Sequence, residues 1–352
     1  MMRRWKSIGK AMAGLCVAMS VSACAAGFPL SLDFGRIPTG SSLTNGGKNP
    51  SDSEGTGDST ERPPFVALYP TTLGPMLYKA GKLYSLTTDT PQEWGKAPRE
   101  GMAWSVFMLS SQEGWSVGAE GISRYKNQLW EPVVNSSHEL LAPASNQGVA
   151  VQLSDVAFAD STTGYAVGTY GTVLRYANGT WSRMSDAKLA GKHFGSVKLD
   201  GTDVWVAGED LLRFSGNAWE SIGLPEAGVA VNSLLVLSDA VWASTGDGLW
   251  RYDRMAKVWD AKATLEGNFL GGLQAVSGNQ GTRAMAMEIG VSRGRLFQLG
   301  ISGEWTQVTT QAPIEVGLDA LVMQDFDTGY ALSYDGASLY KFDQGTWSRL
   351  SF

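Results

Sequence analysis

Apolar and polar positions alternate along most of this chain, and a glycine interrupts the alternation every few residues. The stretch "GYAVGTYGTVLRYANGTW", from Gly164 to Trp181, shows the pattern most clearly. It holds too many glycines for a helix, and its apolar residues follow a two-residue period rather than the 3.6-residue period of an amphipathic helix. Its Asn178-Gly179 pair favours a type I′ turn between antiparallel strands. The pattern therefore predicts short strands joined by tight turns.

The same stretch recurs in six weaker copies. Each copy ends in a tryptophan, and these closing residues are 36 to 51 positions apart: Trp94, Trp130, Trp181, Trp219, Trp259, Trp305 and Trp347. A repeat of roughly 40–50 residues is typical of a propeller blade. Each copy divides into four predicted strands, of which the innermost in the third copy runs from Leu153 to Ala159. The sequence therefore predicts an all-β fold, a seven-bladed β-propeller of four-stranded antiparallel blades, in which closure of the ring protects the sheet edges.

Most of the repeated residues have a structural explanation. We expect the closing tryptophans to be packing anchors between blades rather than ligand platforms. A basic residue precedes an aromatic one on the third strand of five copies, at Arg124, Arg175, Arg213, Arg251 and Lys341. We expect these cations to pair with acidic residues of neighbouring blades while their aliphatic stems pack.

The repeat resembles that of the Ycf48-like propellers, which are related to the Asp-box (BNR) repeats of sialidases. The similar pattern is D-x-x-x-G-[WY]-A-V-G-x-x-G followed by a closing G-x-x-W, and it covers roughly Phe65 to Phe352. Two copies carry it most clearly: Asp160, Gly164, Tyr165, Val167, Gly168, Gly171 and Trp181, and Asp325, Gly329, Tyr330, Gly336 and Trp347. The resemblance implies a propeller that acts as a scaffold for assembling membrane or envelope complexes. WD40 and kelch arrays fit less well, because Trp259-Asp260 and Gly271-Gly272 are isolated matches.

The N-terminus has the features of a targeting segment, residues 1–23. Four basic residues precede the short apolar run Ala11 to Ala23, which is too short to span a bilayer. The run ends in "VSAC", Val21 to Cys24, which resembles the lipobox of bacterial lipoproteins. The resemblance implies that the chain is cleaved before Cys24 and that acyl chains such as palmitate are attached to Cys24. Alanine rather than aspartate follows Cys24, which in that family implies the outer membrane. The alternative is an ordinary signal peptide that happens to end near a cysteine.

A polar segment separates this anchor from the propeller. Residues 39–62 contain no aromatic residue and one large apolar residue, Leu43, so they cannot bury enough surface to offset the entropy of ordering. The sequence thus predicts three parts: a signal peptide at 1–23, a lipidated cysteine with a flexible Gly/Ser/Asp-rich tether at 24–62, and a propeller at 63–352.

Composition and charge narrow the class of partner. The formal net charge is −6, and it becomes −10 when the four basic residues of the signal peptide are removed. An acidic protein is a poor ligand for nucleic acid or an anionic membrane surface. Attachment to a membrane is therefore expected through acyl chains, and the expected partner is another envelope protein or complex.

Few residues have the chemistry of a catalytic or cofactor site. Cys16 lies in the signal peptide and Cys24 is expected to carry lipid, so the mature chain offers no further thiol. Its two histidines, His138 and His193, do not have metal-ligand spacing, and we interpret both as loop residues. We expect no cofactor, no metal and no catalysis. The alternative is a carbohydrate-binding or sialidase-like glycoside-hydrolase propeller.

The remaining candidates for binding are the turns between second and third strands, which should share one face with the inter-blade loops. These turns carry seven residues with binding chemistry: Glu120, Tyr170, Glu209, Asp210, Asp247, Glu288 and Asp335. Acidic residues are common in turns for local reasons. A ring of carboxylates at this face would nevertheless attract a basic partner or Ca²⁺, although no contiguous calcium loop accompanies it.

Overall fold

The fold was analysed in a computed structural model, which describes residues 66–88, 90–98, 103–142, 151–246, 248–263, 269–278, 281–289, 294–300, 303–311 and 314–351. The predicted signal peptide, Cys24, the tether and Asp247 lie outside the described residues. In the described ranges the chain forms 28 strands and one short 3-10 helix, Glu139–Leu141. No helix in these ranges has the length and apolar character needed to cross a membrane.

Each blade takes four consecutive strands, which pair antiparallel in chain order. Blade 1 consists of β1 (Val66–Thr71), β2 (Gly74–Lys79), β3 (Lys82–Ser85) and β4 (Gln92–Lys96). Blade 2 consists of β5 (Ser105–Ser110), β6 (Glu113–Gly118), β7 (Gly121–Lys126) and β8 (Leu129–Asn135). Blade 3 consists of β9 (Leu153–Asp160), β10 (Thr163–Gly168), β11 (Val173–Ala177) and β12 (Thr180–Arg183). Blade 4 consists of β13 (Phe194–Asp200), β14 (Asp203–Gly208), β15 (Leu211–Ser215) and β16 (Ala218–Ser221).

The remaining three blades follow the same order. Blade 5 consists of β17 (Ser233–Val236), β18 (Ala240–Thr245), β19 (Gly248–Asp253) and β20 (Val258–Ala263). Blade 6 consists of β21 (Phe269–Gly278), β22 (Gly281–Ile289), β23 (Leu296–Leu299) and β24 (Trp305–Gln307). Blade 7 consists of β25 (Leu318–Met323), β26 (Thr328–Ser333), β27 (Leu339–Asp343) and β28 (Thr346–Leu350). A parallel bridge between Ile289 and Leu318 joins the sheets of blades 6 and 7.

The first strand of each blade lies at the centre of the molecule. These inner strands neighbour one another in blade order, and β25 of blade 7 lies against β1 of blade 1. All seven line a central channel with a volume of about 430 Å³. The seven-bladed β-propeller expected from the repeats is confirmed.

The ring is closed by side-chain packing. Blades 1 and 7 each take their four strands from one continuous segment, so across the described residues the two ends of the propeller share no blade. The seam between them is a buried apolar cluster that includes Val66 and Leu77 of blade 1 and Tyr330, Leu332 and Leu339 of blade 7. Complementary packing of large apolar side chains therefore holds the two ends together.

Close approach of neighbouring groups explains the two recurrent glycines of the repeat. A Cβ added at Gly164 would lie 2.4 Å from the ring of Phe158 on the inner strand. At the equivalent glycines, Gly114 and Gly329, an added Cβ would lie 2.4 and 2.3 Å from the sulfurs of Met108 and Met323. The second glycine approaches backbone instead, since a Cβ at Gly168 would lie 2.0 Å from a carbonyl oxygen of the inter-blade loop.

The closing tryptophans lie on the fourth strands and pack in two directions. Within its blade, Trp181 contacts Tyr176 of the third strand, with ring centroids 5.3 Å apart. Across the blade boundary it makes an edge contact with Trp115 of blade 2 at 5.5 Å. Trp305 of blade 6 meets Trp242 of blade 5 in the same way, also at 5.5 Å. The predicted role as packing anchors between blades is confirmed for Trp181 and Trp305.

Two of the basic residues of the third strands form ion pairs within their own blades. Arg124 contacts Glu113, and Arg213 contacts Asp203. In each case the carboxylate lies two residues before the cross-strand partner of the arginine on the adjacent second strand. Such diagonal neighbours are within reach of long side chains. The expectation of pairing between blades is therefore wrong for these residues.

Candidate binding face

The turns between second and third strands lie on the same face as the inter-blade loops; we call this the loop face. Backbone hydrogen bonds join the two sets directly. The N–H of Thr169 donates to the carbonyl of Gln152, and that of Glu209 to the carbonyl of His193, both at 2.9 Å. In blade 7 the N–H of Tyr334 donates to the carbonyl of Gly317, also at 2.9 Å. Each bond fixes a turn to the loop that enters its own blade, so in blades 3, 4 and 7 the turn and the loop form one ordered surface.

The predicted site residues that the structure describes have different environments. Glu120, Glu209 and Asp335 are exposed, and Tyr170 is partly buried. Asp210 and Glu288 are buried. The seven positions are therefore not equivalent members of one solvated ring, and binding by any of them stays a prediction.

Two of the carboxylates belong to buried ion pairs. Asp210 pairs with Lys192 of the inter-blade loop, and its Oδ1 accepts the N–H of Leu211 at 2.8 Å. Glu288 accepts two hydrogen bonds from the guanidinium of Arg295, one of them from Nη2 at 3.0 Å. The bidentate pair of Glu288 and the single ion pair of Asp210 are both partly desolvated and hold these carboxylates in place, so both serve interactions within the protein.

Asp335 is exposed but also has a local role. Its Oδ1 accepts a hydrogen bond from Ser333 Oγ at 2.6 Å and another from the N–H of Ala337 at 2.9 Å. An aspartate that bonds to groups two residues away stabilises a turn, which is the usual reason for finding aspartate there.

A cluster of side chains with binding chemistry forms where blades 3 and 4 meet. Tyr170 lies in the β10–β11 turn with φ of 56°, and its ring centroid is 5.1 Å from that of His193 in the inter-blade loop. The backbone N–H of His193 donates to Glu209 Oε2 at 2.9 Å. The cluster thus combines the β10–β11 turn of blade 3, the loop between blades 3 and 4, and the β14–β15 turn of blade 4. His193 lies in a loop, as the sequence indicated, but its contact with Tyr170 was not predicted, because contact between separate segments has no signature in residue spacing.

A second feature that sequence reasoning missed lies at the channel. The buried Asp155 of blade 3 accepts hydrogen bonds from Ser105 Oγ of blade 2 at 2.8 Å and from the N–H of Val197 of blade 4 at 2.9 Å. Ser233 of blade 5 likewise accepts the N–H of Leu273 of blade 6 at 3.0 Å. The signal for this network is a polar residue at the start of several inner strands. These bonds tie neighbouring blades together at the axis.

Tyr69 lines the channel with a phenol whose pKa is shifted, and the described residues form no cluster that could hold a metal ion. Burial raises the pKa of the Tyr69 phenol, with a smaller contribution from Tyr78, and its hydroxyl donates to the carbonyl of Ala103. Tyr69 is therefore a neutral hydrogen-bond donor at neutral pH. In the described part of the chain, no group of three or more His, Cys, Asp or Glu side chains is arranged to hold a metal ion.

Comparison with known proteins supplies a likeness of fold. No protein-family model matches the chain, and no curated protein matches it. The solved structure described as "YCF48 bound to D1 peptide" is 17% identical, with a TM-score of 0.53 over 69% of this chain and 80% of that one. Ycf48 from Cyanidioschyzon merolae is 15% identical, with a TM-score of 0.55 over 72% and 86%.

The likeness extends to propellers with other roles. The structure described as the dihydro-heme d1 dehydrogenase NirN in complex with DHE is 12% identical, with a TM-score of 0.53 over 86% of this chain and 66% of that one. The structural similarity establishes a shared fold, but at such low sequence identity the function depends on the particular side chains of each protein. In its fold, this chain is similar to the Ycf48 propellers that its repeat motif resembles.

Proposed function

We propose that this protein is a lipid-anchored lipoprotein of the bacterial cell envelope, whose propeller is a non-catalytic scaffold that binds another envelope protein. The loop face is the observation that carries the proposal. Its turns and loops are hydrogen-bonded to one another, so a partner meets a surface that is already ordered, which lowers the entropic cost of binding. Val316 and Tyr334 are 41% and 46% exposed on this face, beside exposed carboxylates.

Two further observations support this choice. Protein-binding surfaces typically have apolar and aromatic side chains surrounded by polar ones. One of the similar solved propellers is described as bound to a peptide, so a propeller of this shape accommodates a polypeptide ligand.

Photo-crosslinking in intact cells tests the scaffold role. A photoreactive amino acid is placed at Tyr334 on the loop face, and in a matched variant at Met255, which is 93% exposed on a turn between third and fourth strands at the opposite face. We expect the Tyr334 variant to give a discrete adduct with another envelope protein and the Met255 variant to give none. The absence of any protein adduct at the loop face would contradict the proposal, and a reproducible saccharide ligand on a glycan array would favour the carbohydrate-binding alternative.

The anchor rests on the lipobox-like segment Val21 to Cys24 and on the polar tether that follows it. A single acyl chain gives only weak membrane attachment, whereas several chains on one residue hold a protein firmly. We expect a palmitate analogue to label the protein, and Cys24→Ser to lose both the label and the membrane association. Undiminished labelling of the Cys24→Ser variant would contradict the anchor and would leave the scaffold role to its own test.

A further inference from the structure

We infer that the cluster of Tyr170, His193 and Glu209 on the loop face is a subsite for an arginine side chain of a basic partner. This inference rests on the proposed function and makes it specific: it names the place of contact and the chemistry that is recognised. The guanidinium would lie against the aromatic ring of Tyr170 and pair with the carboxylate of Glu209.

The geometry brings an aromatic ring and a carboxylate into contact with the same loop residue, His193. The ring of Tyr170 lies 5.1 Å from the ring of His193, and the N–H of His193 donates to Glu209 Oε2 at 2.9 Å. The N–H of Glu209 in turn donates to the carbonyl of His193, also at 2.9 Å. The N–H of Gly171 donates to the carbonyl of Lys192, which fixes the Tyr170 turn to the same loop. Turns from two blades are thus held in a fixed relation by one loop.

The Tyr170 side chain packs partly against the core of blades 2 and 3, and its backbone conformation is a separate observation. Its φ of 56° lies in the left-handed region, which glycine occupies freely and which a bulky residue enters at a cost. A glycine already follows it, with φ of 70°, so the turn does not lack a residue suited to this conformation. An aromatic side chain kept in a strained position on a turn of the loop face is the kind of outlier that is found at binding sites.

The charged side chains around the cluster favour a cation as its ligand. Lys192 is paired with Asp210, and Lys188 lies 3.8 Å from Asp186 in the same loop, so these pairs balance their own charges. Glu209 is exposed and adds a negative charge beside them. The chain as a whole carries a net charge of −6, which favours approach of a basic partner.

The combination of groups favours arginine over lysine. A guanidinium is planar, stacks on an aromatic face and offers a fork of N–H donors to a carboxylate, while an ammonium is a compact and strongly hydrated charge. Cation–π attraction and an exposed ion pair each supply a modest part of such an interaction. The site is therefore expected to contribute specificity for arginine within a larger interface.

Binding of a short fluorescein-labelled Arg/Ser peptide, followed by fluorescence anisotropy at low ionic strength, tests the inference. We expect the peptide to bind more tightly than versions with lysine or with neutral citrulline in place of arginine. Glu209→Gln and Tyr170→Gly should each weaken binding about three-fold to five-fold. Tyr170→Phe keeps the ring and should stay within about two-fold of the native protein.

The variants separate loss of the site from loss of the fold. Tyr170→Gly relieves the backbone strain at the same position, so a folded protein with weaker binding points to the ring itself. Glu304→Gln is the matched control, because Glu304 is an exposed carboxylate between the third and fourth strands of blade 6, on the opposite face. Equal weakening by Glu209→Gln and Glu304→Gln, or equal affinity for the arginine and citrulline peptides, would overturn the inference.

The outcome of the peptide-binding measurement is independent of the outcome of the crosslinking experiment that tests the scaffold role. If crosslinking captures an envelope protein and the Tyr170→Gly and Glu209→Gln variants capture it equally well, the scaffold role stands and the arginine subsite is wrong. If the peptide binds as expected and no protein is captured in cells, the subsite stands and the scaffold role is wrong.

Discussion

At some positions of this propeller, the type of residue is determined by the group that packs directly against it. Gly164 is such a residue, because the ring of Phe158 occupies the space that a side chain would need. We expect Gly164→Ala to destabilise the fold by about 1–3 kcal/mol, the usual cost of overpacking a core. Gly246→Ala is the control, since nothing lies within 4 Å of its added Cβ. Urea denaturation measures both, and Phe158→Leu should restore part of the loss in the Gly164→Ala background. Equal midpoints for the two alanine variants would contradict this explanation.

The acid sensitivity of the fold also depends on single residues. Burial by itself raises the pKa of Asp203, but hydrogen bonds from Ser215 and Arg213, with the charges of Arg213 and Arg254, outweigh it and lower the pKa below its ordinary value. A carboxylate with a lowered pKa stabilises the fold above its unfolded-state pKa, and this stabilisation is lost as the pH falls through the folded-state value.

We therefore expect the free energy of unfolding to fall as the pH drops below about 4, and to fall less steeply in Asp203→Asn, which should be less stable than the native protein at neutral pH. Thermal unfolding at a series of pH values measures both slopes. If the two proteins lose stability in parallel on acidification, Asp203 is not a source of the effect.

Among the elements, the two-residue turns between third and fourth strands in blades 2, 3, 4 and 7 share one backbone conformation, with positive φ at both central residues. The predicted type I′ turn is present, with φ of 47° at Asn178 and 98° at Gly179. In blade 2 the corresponding residues, Asn127 and Gln128, have φ of 53° and 66°, so a glutamine occupies a left-handed position.

The strain in the blade 2 turn offers a route to a more stable protein. We expect Gln128→Gly to stabilise the fold by about 0.5–1 kcal/mol, because glycine adopts this conformation without a steric cost. Ser348→Gly, in the extended strand β28, is the matched control and should destabilise by a similar amount. Chemical denaturation compares the midpoints; a destabilised Gln128→Gly variant would mean that its side chain supplies packing that outweighs the strain.

The same elements show how far the sequence was informative. Local patterns predicted the strands well, as in the third copy, where Leu153 to Ala159 became β9 (Leu153–Asp160). They did not predict that Arg213 pairs inside its own blade or that Tyr170 meets His193. Periodicity reports which face of a strand is apolar. It carries no information on which loops of neighbouring blades touch, and the binding face depends on those contacts.

At the scale of the whole molecule, the ring has one boundary that differs from the other six. Every other pair of adjacent blades is also joined by the chain itself, whereas blades 7 and 1 meet through the buried apolar cluster that includes Leu77 and Leu332. A covalent loop limits how far two blades separate when their packing fluctuates, since it keeps the segments at a high effective concentration. The seam lacks that restraint and should be the first boundary to open.

Thiol labelling of the native protein tests this difference in a background without the signal peptide and with Cys24→Ser, which leaves no other cysteine. Val322→Cys places a buried thiol at the seam, and Val204→Cys places one at the boundary of blades 3 and 4; the two valines are 4% and 1% exposed. The substitutions are chemically the same, so their costs to packing should be similar. We expect the seam thiol to react at least about ten-fold faster, because opening there needs no loop to be stretched and local opening governs access to a buried group. Equal labelling rates would show that packing alone holds the seam as firmly as a covalent loop holds the other boundaries.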